Sequence, residues 1–102
     1  MEYPKIFIDG NEVTMDPPKA RLYVTFRKYQ KETESGDLDA YAEIVATAFR
    51  SKKPDITKEW VLDNLGGGEL IGVAIQVVRL VNETVAKEFD RFPDLKNALT
   101  QV

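Results

Sequence analysis

The sequence predicts an α+β fold, mainly α, in which an N-terminal β-hairpin packs on a small bundle of about four helices. Three observations carry this. Two short β-branched and apolar runs flank Asp9-Gly10-Asn11, a turn of residues that tolerate positive φ. Glu69 to Phe89 runs about twenty residues without a turn signal, with apolar side chains at helical spacing. Between them lie amphipathic stretches separated by Pro54 and by Gly66-Gly67-Gly68. A single domain over 1–102 is expected, with the hairpin at about 5–15, helices at about 17–31, 38–50, 56–65 and 68–90, and a tail over 91–102.

Each element has its own reason. A lone hairpin is marginal in water, so one face of the 5–15 hairpin must pack on helices. Asp16-Pro17-Pro18 ends its second strand; Asp favours the N-cap and proline the first turn, which points to a helix placing Leu22, Tyr23, Phe26 and Tyr29 on one face. Residues 19–31 also alternate as a strand would, with Leu22, Val24 and Phe26 on one side, and the cap chemistry favours helix. Glu32 to Gly36 reads as a polar connector, and Asp37 as the cap of a helix with Leu38, Tyr41, Ile44, Val45, Ala48 and Phe49 at helical spacing. Arg50, Lys52 and Lys53 suit the end of that helix, and Pro54 stops it. Thr57 or Asp55 caps the next short helix.

The segment from Glu69 to Phe89 is expected to be the central helix. It carries two apolar seams, one through Ile71, Ala74, Val78, Val81, Val85 and Phe89, the other through Leu70, Val73, Val77 and Leu80. Together they exceed what so small a domain needs to cover, so one seam is expected to serve a partner or a homo-oligomer interface. Both being apolar, periodicity does not decide between them. The expectation assigns Ile71, Val78 and Val85 to the core and Leu70, Val73, Val77 and Leu80 to the intermolecular face.

Composition narrows the chemistry. The 102 residues contain neither cysteine nor histidine, which removes disulfides, thiolate metal sites and the commonest general base. Net charge is −3, and the N-terminus lacks the basic-then-apolar pattern of a signal peptide. Glu69–Phe89 holds Arg79 and several acids, so no membrane span is expected and a cytoplasmic location is. Gly66–Gly68 before a helix could cradle phosphate, but no Gly-Lys-Ser/Thr follows and Glu69 would repel an anion. Asp9, Glu12, Asp37, Asp39, Asp55, Glu59 and Asp63 sit at turns and caps and form no acid/base pair, and Trp60 is expected in the core. Lys19–Lys31 has five basic residues, no acid and interleaved aromatics, so Arg21, Arg27, Lys28 and Lys31 form a possible basic surface. No catalysis, metal, cofactor or tight nucleic-acid binding is expected.

The order of these elements resembles a known family. IFIDGNEVTM is followed by PPKARLYVTFRKY, a helix ending AEIVATAF, the short DITKEWVLDNL segment and a long apolar helix. Over roughly residues 5–89 this layout is similar to the tail assembly chaperones of long-tailed, siphovirus-type bacteriophages and prophages. The resemblance implies a non-enzymatic protein that binds the tape measure protein, keeps its apolar surfaces soluble, helps recruit tail tube protein, and is absent from the finished particle. The family's gene often also yields a longer frameshifted product. Two other readings remain: a small nucleic-acid-binding regulator using Lys19–Lys31, and a structural head–tail joining component.

Overall fold

A computed structural model describes residues 3–91; the expected tail beyond Arg91 and the side chain of Phe89 lie outside the described residues. An antiparallel hairpin, β1 (Lys5–Ile8) and β2 (Asn11–Thr14), precedes five helices: α1 (Ala20–Lys28), α2 (Gln30–Glu34), α3 (Leu38–Phe49), α4 (Lys58–Asn64) and α5 (Gly67–Arg91). The fold is α+β and mainly α, as the sequence predicts.

The hairpin closes through Asp9 (φ 52°) and Gly10 (φ 83°), the two positive-φ positions that a two-residue turn needs to match strand twist. Register pairs Ile8 with Asn11 and Ile6 with Val13, and Met15 N–H extends the ladder to Pro4 C=O at 2.8 Å. Ile6, Ile8 and Met15 enter the core, while Phe7 points outward.

The ambiguous 19–31 stretch is helical, but it is two helices. Tyr29 (φ −108°, ψ 16°) breaks the run, and the bend brings the Thr33 carbonyl within 2.8 Å of the Tyr41 hydroxyl that donates to it. The expected connector from Glu32 to Gly36 is therefore in part helix, its first residues belonging to α2. It ends with Gly36 at φ 83°, where Gly36 N–H bonds Thr33 C=O and Asp37 N–H bonds Glu32 C=O, the paired closure typical of a glycine-terminated helix.

The expectation that Asp16 caps α1 is corrected. A residue before proline is held extended, so the helix cannot start ahead of Pro18. Its N-cap is Lys19, which makes no side-chain cap bond. Asp16 instead accepts a 2.6 Å bond from the Ser51 hydroxyl and pairs with Lys52 at 3.1 Å, stitching the approach to α1 to the loop after α3. These partners, Ser51 foremost and then Lys52, hold its carboxyl below the ordinary 3.8. A depressed carboxyl contributes stability above its unfolded value and loses it as pH falls through the folded one. The gap in melting temperature between wild type and Asp16→Asn is therefore expected to close as pH drops below roughly 4. A gap that stays constant through the acid range would refute this role.

Lys52 and Lys53, expected to serve the α3 dipole, are also used otherwise. Lys53 pairs with Asp55 at 3.2 Å and lies 5.4 Å over the Trp60 ring, which is half-buried against the core. The other caps agree with the sequence: Asp37 accepts from Asp39 N–H at 2.9 Å, and Thr57, rather than Asp55, accepts from Trp60 N–H at 3.1 Å.

The centre of the fold is α3, not the long C-terminal helix. It packs on α1, α2, α4 and α5. Ala40, Ala42, Ile44, Val45, Ala46, Ala48 and Phe49 are all buried, so this helix is enclosed on nearly every side, and its alanines let neighbouring backbones come close. Leu38, expected to face inward, is exposed at its start.

Candidate interaction surface

Among the described residues no polar or charged side chain is buried, and no group of three or more acidic residues could hold a metal. What stands out is exposed apolar surface, and α5 carries two of its large side chains, Ile71 and Ile75, on one side.

Along α5, Leu70, Val73, Ala74, Val77, Leu80 and Val81 are buried. This corrects the assignment of the two seams. The stripe expected to face a partner, Leu70, Val73, Val77 and Leu80, lies inside the domain. Ile71, expected in the core, is 40% exposed, while Val78 and Val85 sit half-buried at the core's edge. The physical reason is enclosure from two directions: α3 packs along α5, and Tyr3, Pro4 and Lys5 at the foot of the hairpin come up beside Val73 and Leu80. One residue step turns a helix by about 100°, so burying Val77 leaves Val78 at the margin and carries Ile71 and Ile75 outward.

Ile75 is 41% exposed and belongs to neither seam read from the sequence. It lies four residues after Ile71 and three before Val78, and the series continues through Asn82 to Val85. That 4-3-4-3 spacing is the signal that finds it, an apolar seam of the kind that packs against another helix.

Ile75, Val78 and Asn82 form one wall of a groove of about 240 Å³, and Phe26, Thr33 and Tyr41 form the other. The bend at Tyr29 makes this groove, because it turns α2 so that Thr33 meets Tyr41 across from α5. Arg79, Gln30 and Glu34 stand at its rim. The arrangement is an apolar floor with polar edges, suited to an amphipathic helix. The other exposed large apolar side chains, Phe7, Val24, Leu38 and Leu62, lie on separate elements.

Of the possible basic surface, Arg21, Arg27, Lys28 and Lys31 are all exposed on the outer side of α1 and α2. The aromatics interleaved with them are not: Tyr23, Phe26 and Tyr29 pack against the core. Among the described residues only Lys28 of this set keeps a ring beside it, its ammonium lying 5.4 Å over Tyr29. No helix among the described residues is long and apolar enough to cross a membrane. Compared with known protein families, characterised proteins and solved structures, the chain matches none.

Proposed function

We propose that the protein is a tail assembly chaperone of a long-tailed bacteriophage or prophage, which captures amphipathic helical segments of the tape measure protein and helps bring tail tube subunits to it. The observation that carries this reading is the Ile71–Ile75–Val78 stripe beside the groove walled by Phe26 and Tyr41. A domain whose core is already closed keeps two isoleucines on the outer side of its longest helix, about 38 Å by the ordinary rise per residue. Such a seam has the i, i+4, i+7 anchors through which a groove takes up a partner helix. The same stripe would mediate self-association when no partner is present. The layout resemblance supports the reading independently of the surface. A nucleic-acid regulator is less well supported, because Tyr23, Phe26 and Tyr29 are committed to packing rather than to stacking with bases.

The experiment is to make Ile75→Asp and co-express it with the tape measure protein encoded near its gene. Ile75 is 41% exposed, so the substitution should lower stability by only about 1 kcal/mol and leave the domain folded. Co-purification, however, should be lost. A variant that stays folded and still co-purifies would remove α5 as the binding surface.

A further inference from the structure

The charge pattern of α1 runs against its own stability. Cations are unfavourable near a helix N-terminus, yet its first turn carries Arg21, its N-cap is Lys19, no acid is present there, and no side chain caps the exposed N–H groups. Arg27 and Lys28 in the last turn suit the dipole, and Lys31 follows past the break at Tyr29, in α2. Among the described residues no carboxylate pairs with Arg21, Arg27, Lys28 or Lys31. The chain is acidic as a whole, with 17 acids against 14 bases, yet none of those acids falls within residues 19–31. In the middle of this face stands Val24, 57% exposed, three residues from Arg21 and Arg27 and four from Lys28.

We propose that the outer face of α1, with Val24 at its centre and Arg21, Arg27, Lys28 and Lys31 around it, docks an acidic amphipathic helix of a protein partner. Helical spacing gathers Arg21, Val24, Arg27 and Lys28 on one side of α1 over two turns, about 10 Å, and Lys31 extends the basic run onto α2. A helix with carboxylates around one apolar anchor matches it in charge and in shape: the carboxylates offset the uncompensated cations, and the anchor covers Val24. A nucleic acid would satisfy the cations equally but has no use for an exposed valine, and the rings of the segment pack against the core, Tyr29 with Lys28 already over it. This face is separate from the α5 stripe and does not depend on it.

The test uses fluorescence anisotropy with four probes: a synthetic helical peptide of Leu and Glu at heptad spacing, the same peptide with Ser for Leu, its Lys-for-Glu counterpart, and a DNA duplex. The Leu–Glu peptide should bind at least about tenfold more tightly than any other probe. Arg27→Glu should weaken it about tenfold, and Val24→Ser severalfold. Circular dichroism monitors folding, and the pair Arg27→Gln and Lys28→Gln, which keeps good helix formers, provides the same readout if the charge reversal unfolds the domain. Equal affinity for the Ser-containing peptide, or indifference to Val24→Ser, would overturn the proposal. So would tighter binding of the duplex, which would assign the face to nucleic acid. Loss of self-association in Arg27→Glu without any peptide binding would assign it to a second copy of the chain and equally overturn the proposal.

Discussion

Val77→Asp is expected to abolish the cooperative thermal transition. Val77 is fully buried on α5, a helix packed against α3, and no polar side chain is buried among the described residues to receive a carboxylate. An unpaired carboxylate there either stays charged at a cost of several kcal/mol or takes up a proton and remains an unsatisfied polar group. Domains of this size have only about 5–15 kcal/mol to lose. The contrast with Ile75→Asp, two residues away on the outer side, makes the experiment specific: same helix, same new charge, opposite expected outcome. Melting followed by circular dichroism decides it. If Val77→Asp melted like the wild type, the orientation of α5 described above would be wrong.

Phe49→Ala should cost about 3–5 kcal/mol, the range for a buried aromatic whose removal leaves a cavity. Phe49 is the bulkiest of the fully buried side chains and ends the helix that contacts α1, α2, α4 and α5. Its carbonyl also accepts from both Lys52 and Lys53 N–H at 3.0 Å, so the backbone here is held and cannot easily move in to fill the space. For about a hundred residues this corresponds to a fall in melting temperature of at least about 12 °C. Urea denaturation gives the free energy directly, and a loss under about 1 kcal/mol would show that the site collapses freely.

The parts of the fold legible in the sequence are those decided within a few residues. Asp9-Gly10 must turn because both positions need positive φ, and Asp37 and Thr57 cap because each reaches an N–H two or three residues on. What was hidden is decided by neighbours far along the chain. The bend at Tyr29 has no glycine or proline to announce it. The centrality of α3 was masked because much of its buried surface is alanine, a residue that also suits exposed helix positions. On α5 the apolar residues spread over more than half the circumference, so only the positions of α3 and of the hairpin foot determine that Leu70 and Val77 go inside and Ile71 and Ile75 outside. Periodicity alone therefore does not tell which side of α5 stays exposed.

The placement of α3 in the middle of the fold also has a consequence for time. Its packing partners α2 and α4 are its immediate neighbours along the chain, α1 and α5 are the next ones out, and the hairpin pairs strands only two residues apart. Apart from the hairpin foot against α5, the main contacts join elements that are next or next but one along the chain, a largely local topology of the kind that folds fast. A core of this kind can form soon after α5 leaves the ribosome, and in the folded domain Leu70 and Val77 are covered. Fast closure of the core would then leave Ile71 and Ile75, among the described residues, as the large apolar side chains of α5 that stay exposed once the domain has folded.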